Sequence, residues 1–565
     1  MKIVIVGGVA GGATAAARIR RLDEKADIVI FERTGYISYA NCGLPYYIGD
    51  VITDPDDLTL QSPEGFFRRF RIIAKVHHEV QAIYPDTKTV SVRNLETGEL
   101  FEEKYDKLIL SPGAKPVMPK ISGNLSDKIF TLRTVEDTFK IKEYVNQNRP
   151  KTAVLAGGGF ISIELAENLK ALGIKVTIVQ NGYQLMNPFD PEMAAFIHNE
   201  LRRQGVDVVF GHAVEQIKEN KNGVDVVLSE GCTLRADMAA LAIGVTPDTI
   251  LAKNAGLKLG LKDSIVVNDK METSLPDIYA VGDAVQVTNF VTGEDDLIAL
   301  AGPTNKQGRI AADNICGLDS RYSGSQGSSV LKIFDLTVAT TGISEKKARS
   351  LGYETDSVVL SPMCHASYFP GGMVMTMKVV FEKNTYKLLG AQIIGYDGVD
   401  KRIDVLATAI RAGMKATELK ELDLAYAPPY SSAKDPVNMA GFMIDNIANG
   451  VLKQWHIEDA DKLPRDGSVT LLDTRTVGEY QRGHIEGFYN IPVDELRERL
   501  DEVDPSKPVY VICQSGLRSY ISCRILEGNG YTAYNFAGGF RFYQAVMNDR
   551  TLVKRATQCG SDILG

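Results

Sequence analysis

Of the seven cysteines in the chain, two sit where a sulfur atom can react. Cys42 occupies SYANCGLPYYIG (38–49), between a turn-forming Asn41-Cys42-Gly43 and the pair Tyr46 and Tyr47. The next cysteine is Cys232, so Cys42 has no neighbour in sequence with which to close a disulfide. A single thiol can instead carry a mixed disulfide, a persulfide or a sulfenic acid. Cys513 ends the apolar run VYVIC and opens the loop CQSGLR, which Arg518 closes. Backbone N–H groups in such a loop, followed by a helix start, form an anion nest that favours a thiolate. Cysteines 232, 316, 364, 523 and 559 have no comparable context and read as small buried hydrophobes. No C-x-x-C occurs, so no zinc or dithiol motif is visible, and an odd count fits reduced thiols.

The elements ahead of Cys42 have a second chemistry. KIVIVGGVAGGATAAARIRRLDEKADIVIFE (2–32) reads as strand, glycine turn, helix, strand. Gly7, Gly8, Gly11 and Gly12 let the backbone approach a pyrophosphate at the helix N-terminus. Glu32 follows Gly7 by 25 residues, near the spacing of an acid that binds a ribose. Val9 departs from the pattern by filling its middle glycine position. The unit recurs in TAVLAGGGFISIELAENLKALGIKVTIVQ (152–180), with Gly157, Gly158 and Gly159 at the turn and Ser162 replacing the last glycine. Gln180 takes the place of the acid there. It does not repel a 2'-phosphate, but no adjacent Arg rewards one, so NADH is expected to serve at least as well as NADPH. Two further strand ends are marked by Pro112-Gly113 in YDKLILSPGAKP (105–116) and Gly282-Asp283 in LPDIYAVGDA (275–284).

The 565 residues are too many for one core and predict three or four domains. With 44% hydrophobic and 24% charged residues the chain is of ordinary globular composition. A net charge of -8 and no long Lys/Arg run argue against a nucleic-acid binder. No apolar run reaches the ~18 to 20 residues that span a membrane. The N-terminus superficially mimics a secretory signal, but it continues as strand and helix of a fold, so a mature, cytoplasmic protein is expected.

The four glycine-marked signals, in this order, resemble the flavoprotein pyridine nucleotide-disulfide oxidoreductases over residues 1 to about 450. The resemblance implies an α/β chain of two nested Rossmann-like domains, an FAD domain (1–149 and 271–325) split by an NAD(P)H domain (150–270). An α+β dimerisation domain (326–448) follows. It implies FAD contacts at Gly7, Val9, Ala10, Gly11, Gly12, Glu32, Arg33, Asn41, Ser111, Pro112, Gly113, Gly282, Asp283 and Ala301. It implies NAD(P)H contacts at Gly157, Gly159, Phe160, Ile161, Gln180 and Gly244. Most members carry a second cysteine where this chain has Tyr47. SYANCGLP is similar to the coenzyme A-disulfide reductases and to the related NADH oxidases and peroxidases, which places Cys42 near the flavin with a lowered thiol pKa.

The coenzyme A branch is further resembled at GGATAAARIRRLD, implying coenzyme A contacts at Thr14, Arg18 and Arg21, and at Ser38 and Asn41. Arg68 and Arg71 of FFRRFRI (66–72) add cations, and Asn305 stands where that family has a histidine. AYAPPYSSAKDPVNMAG (425–441) implies a flavin- or thiol-facing Tyr426 and a coenzyme A-facing Lys434, both reaching a partner subunit's site in a homodimer. HASYFPGG offers Tyr368 as a second phenol, with Phe369 as the neighbouring register, and which tyrosine donates a proton stays open.

After a linker (449–465), residues 466–565 resemble a rhodanese sulfurtransferase domain. Asp473-Thr474-Arg475, Glu479-Tyr480, Gly483-His484-Ile485 and Gly538-Gly539-Phe540 carry the likeness. Four residues lie between Cys513 and Arg518, one fewer than in related phosphatases, which implies sulfur rather than phosphate chemistry. The combination implies an NAD(P)H-dependent reductase of coenzyme A disulfide, coenzyme A persulfide or polysulfide. Its partners are then small thiols, disulfides and sulfane sulfur, with no nucleic acid, membrane or metal. Two alternatives remain open: an NADH oxidase cycling Cys42 through a sulfenic acid, and a redox-regulated sulfur carrier.

Overall fold

Residues Ile3 to Val6 are apolar without interruption because they form the central strand of a sheet covered on both faces. Ile3 and Ile5 point into one buried cluster, Val4 and Val6 into another. In the computed structural model, which describes residues 1–118 and 126–556 with side chains to 553, that sheet has five parallel strands. Their order is Ile73–Lys75, Asp27–Phe31, Lys2–Val6, Lys107–Leu110, Ile278–Ala280. A second parallel sheet is inserted between the last two in sequence. Its order is Asp207–Phe210, Lys175–Gln180, Thr152–Ala156, Met238–Leu241, Ile129–Thr131. The nested double-Rossmann arrangement is therefore present. The helix after each glycine turn, Ala10–Leu22 and Phe160–Ala171, starts directly at the strand end.

Both sheets lie in one compact unit, residues 1–185 and 205–327 among those described. Within it, helix Ala10–Leu22 packs on helix Ala301–Ile315 through glycine. A Cβ on Gly308 would sit 2.6 Å from the Gly11 carbonyl oxygen.

A second unit comprises residues 186–204 and 328–556 among those described. One of its sheets is antiparallel, in the order Ser329–Ile333, Leu336–Gly342, Leu388–Gly395, Thr376–Glu382, Thr355–Leu360. Lys378, on the strand Thr376–Glu382, is 2% exposed. It is held by three carboxylates: Asp190 at 2.9 Å, Glu345 at 2.8 Å and Glu192. The other sheet is parallel, in the order Gln454–Trp455, Ala533–Phe536, Val509–Ile512, Thr470–Asp473, Tyr489–Asn490. Among the described residues, no helix is long and apolar enough to cross a membrane.

Cys364, Cys513 and Cys523 are buried, as small hydrophobes are. Cys232 is disulfide-bonded, which corrects the expectation of reduced thiols throughout. Cys559 lies outside the described residues.

Candidate active site: a dinucleotide cavity shared with an exposed thiol

Gly7 turns the chain with φ +94°, and a Cβ there would stand 2.1 Å from the Ser111 carbonyl oxygen. Only glycine fits, because the neighbouring strand end passes directly beneath. Glu32 is buried and fastens the turn: Gly8 N–H donates to its Oε2 at 2.8 Å, while Thr34 N–H and Oγ1 donate to Oε1 at 2.9 Å. The thiol segment is tied to the same turn. Ser38, at φ +48°, donates its N–H to the Gly8 carbonyl at 2.8 Å and accepts from Leu60 N–H. A short 3-10 turn, Asn41–Gly43, then presents Cys42, which is exposed, ahead of helix Leu44–Ile48. Tyr47, at the place of a second thiol, packs edge-on against Phe139.

These pieces enclose a cavity of about 560 Å³. Gly7, Val9, Ala10 and Gly11 line it from the turn, and Glu32 and Arg33 from the next strand end. Asn41 and Cys42 face it as well, as do Ser111, Pro112 and Gly113. Gly282, Asp283 and Ala301 close it. Gly12 is not on its wall; a Cβ on Gly12 would strike the Gly7 carbonyl, so its role is to let the turn close. Asn41 Oδ1 is buried without a hydrogen-bond partner, an acceptor aimed at nothing in the protein. An elongated group with hydrogen-bond donors, such as a dinucleotide, fits this wall of bare backbone, one buried carboxylate and one orphaned acceptor.

Two residues that line the cavity, Arg133 and Asp248, and one that acts on its thiol from outside the lining, Glu164, escaped sequence reasoning. Arg133 Nη2 donates to Asp283 Oδ2 at 2.8 Å, and Gly113 leaves it room, since a Cβ there would be 3.3 Å from that nitrogen. Its signal was local: an arginine just before the N-cap Thr134 opposes the helix dipole and needs another reason to be there. Asp248 pairs with Arg33 at 2.8 Å. Glu164, on helix Phe160–Ala171, acts on Cys42 electrostatically. Burial, then the Glu167 carboxylate, pushes Glu164 up to about 7. The protein pushes the Cys42 thiol up as well, first by burial, then through Glu164 and Asp283, with Arg133 opposing. Although Cys42 touches solvent, protein closely surrounds it. The expected lowering is therefore not supplied by the protein's own groups.

The second glycine turn repeats the geometry. Gly157 has φ +107° and would place a Cβ 2.2 Å from the Ala242 carbonyl. Gly159 is the N-cap, Phe160 and Ile161 open the helix, and Gln180 ends its strand against Gly158. Gly244 accepts from Val117 N–H.

The expected coenzyme A contacts are only partly grouped. Thr14 Oγ1 donates to Asn305 Oδ1 at 2.5 Å, so those two meet. Arg18 pairs with Asp313 at 2.6 Å. Arg21 lies in the last turn of its helix, Arg68 is exposed, and Arg71 lies over the Phe67 ring at 5.2 Å.

In the second unit, Tyr368 and Tyr426 share a hydroxyl–hydroxyl hydrogen bond of 2.7 Å, and both are exposed. That bond pushes the Tyr426 phenol up. Phe369 instead packs edge-on against His365. Lys434 is exposed. In the C-terminal parallel sheet Cys513 is fully buried, and its Sγ accepts from Gly516 N–H at 3.1 Å and from Ser519 Oγ at 3.2 Å. Ser519 was missed by sequence reasoning, though it stands in the first turn of the helix after the loop. Arg518 does not point its charge at an open loop: both its terminal nitrogens donate to Glu479 at 2.7 Å, which holds Glu479 down to about 2.

A family model described as pyridine nucleotide-disulphide oxidoreductase matches residues 1–308, and its dimerisation domain matches 328–436. A rhodanese-like domain matches 456–545. A coenzyme A disulfide reductase of Staphylococcus aureus (strain bovine RF122 / ET3-1) is 37% identical over 442 residues, 78% of this chain and 99% of the relative. The structure of reduced Bacillus anthracis CoADR-RHD superposes with a TM-score of 0.95 at 47% identity, covering 97% of this chain and 98% of that one. An NAD-dependent persulfide reductase from A. fulgidus gives 0.90 at 36% identity, covering 96% and 100%.

Proposed function

The chain belongs to the pyridine nucleotide-disulphide oxidoreductases, and from that premise we propose that it is an NAD(P)H-dependent reductase of coenzyme A disulfide and coenzyme A persulfide or polysulfide, fused to a sulfurtransferase. FAD and NAD(P)H are its cofactors. The observation that carries the reading is that Cys42 and the dinucleotide turn line one cavity.

The Cys42 thiolate attacks the sulfur–sulfur bond of coenzyme A disulfide. A Cys42–coenzyme A mixed disulfide forms, and one coenzyme A thiolate leaves. The phenol of Tyr368 or Tyr426 supplies its proton, and their shared hydrogen bond lets either stand in for the other. Bound FAD supplies the two-electron relay from NAD(P)H that reduces the mixed disulfide. The Gly7–Gly12 turn, Glu32 and Asp283 hold that cofactor, and Arg133 fixes Asp283. The sum is coenzyme A disulfide, NADH and a proton giving two coenzyme A thiols and NAD+. From coenzyme A persulfide the products are one coenzyme A thiol and hydrogen sulfide. Cys513 carries sulfane sulfur, with Gly516 N–H and Ser519 Oγ donating to it.

The working form is a homodimer, supported by the match to a dimerisation domain and by the exposed Tyr368, Tyr426 and Lys434. Reliance on NAD(P)H, an intracellular reductant, supports a cytoplasmic location. The test is NADH consumption with coenzyme A disulfide, coenzyme A persulfide, polysulfide and O2 side by side. Faster turnover of either coenzyme A substrate supports the reading; O2 as the fastest oxidant would replace it with an NADH oxidase.

A further inference from the structure

The antiparallel sheet of the second unit carries a cluster that the chemistry above leaves unused. Cys364 and His365 follow the strand Thr355–Leu360, and Asp397 precedes the helix Val399–Arg411. Cys364 is 1% exposed and His365 5%. Cys364 Sγ lies 3.1 Å from His365 Nδ1, and that nitrogen is 3.8 Å from Asp397 Oδ2. The three donor atoms fall within 4.8 Å of one another.

The ring's hydrogen can be placed. His365 Nε2 is 3.2 Å from the Pro370 carbonyl oxygen, which only accepts, so Nε2 carries the proton. The other ring nitrogen, Nδ1, is the one that faces Cys364 and Asp397. Metal-bound imidazoles are oriented in this way, their other N–H given to a carbonyl or carboxylate. Cys364 Sγ also accepts from Met373 N–H at 3.2 Å. Arg402, the cation beside the segment, donates to the Cys364 carbonyl at 2.9 Å and is neutralised by Asp435 at 3.0 Å.

We propose that Cys364, His365 and Asp397 form a binding site for a thiophilic divalent cation of the zinc class. A thiolate and an imidazole disfavour magnesium and calcium, and three protein donors leave a fourth position for water or a small thiol. The Asp397 side chain is 62% exposed, so that position faces solvent. A tetrahedral zinc ion spaces sulfur and nitrogen ~3.5 Å apart, so the pair opens by about half an ångström. The ion would also steady the segment bearing Tyr368, because Phe369 packs on the His365 ring at 5.7 Å. The competing account is a plain Cys–His hydrogen bond with Asp397 as a bystander.

Co2+ is the probe, titrated into the full-length FAD-loaded protein carrying Cys42→Ser and Cys513→Ser, so that those thiols do not compete. Tetrahedral thiolate-bound Co2+ absorbs in the red, clear of flavin. The site predicts one Co2+ per chain, displaced by one equivalent of Zn2+. Adding Cys364→Ser should abolish the band. Asp397→Asn, an exposed change with thermal unfolding unaltered, should weaken Co2+ binding at least about tenfold. Absence of the band, its survival in the Cys364→Ser protein, or unchanged affinity in the Asp397→Asn protein would overturn the proposal.

Discussion

At the scale of single residues, Cys42 and Glu164 form an unfavourable pair that the reaction has to overcome. Each is pushed toward its protonated form by burial, and Glu164 adds its charge against the thiolate. Glu164→Gln removes that charge and should lower the Cys42 thiol pKa. The pH dependence of Cys42 alkylation, followed on its own peptide by mass spectrometry, measures it; an unchanged or higher pKa would show that Glu164 does not act on the thiol. The same carboxyl holds its proton more tightly folded than unfolded. It therefore costs stability as pH rises from about 4.5 to about 7, and the glutamine variant should lose that slope. Cys42 was legible in the sequence because its motif is contiguous. Glu164 was not, because over a hundred positions separate it from Cys42 and only the fold brings them into one field. The same holds for Arg133 and Asp283, 150 positions apart.

At the scale of elements, the two glycine turns were readable because turn, helix and strand follow in order within about thirty residues. Long-range pairing left no such trace. Lys378 sits among Asp190, Glu192 and Glu345, which come from the starts of two separate helices, Asp190 as an N-cap, and nothing in its strand announces them. Replacing it by Met strands three carboxylates in a buried setting and should cost ~3–5 kcal/mol in unfolding of the unit that holds it. Denaturant titration checks this, and a loss under about 1 kcal/mol would show that water reaches the carboxylates. Burial opposes the Glu345 charge, but Lys378 and then Arg349 hold its carboxyl down to about 2. Its contribution is thus present above about pH 4.5 and should fade as pH falls toward about 2, with a weaker acid dependence in the Lys378→Met protein.

At the scale of the whole molecule, the two units carry different sets of groups: a thiol beside a dinucleotide cavity in one, paired phenols and a lysine in the other. If subunits share their sites, inactive Cys42→Ser chains mixed with inactive Tyr368, Tyr426 and Lys434 triple mutants should regain activity in heterodimers. No recovery after verified subunit exchange would mean that each site is built from one chain. The central claim is a division of labour between two sulfurs, and assaying Cys42→Ser and Cys513→Ser on coenzyme A disulfide and on polysulfide, with flavin content measured alongside, tests it most directly. Cys42→Ser should keep its flavin and lose NADH-driven reduction of both substrates. Cys513→Ser should lose most polysulfide reduction while reducing coenzyme A disulfide at close to the parent rate. Loss of coenzyme A disulfide reduction in a folded, flavin-loaded Cys513→Ser protein, or its survival in Cys42→Ser, would contradict the account.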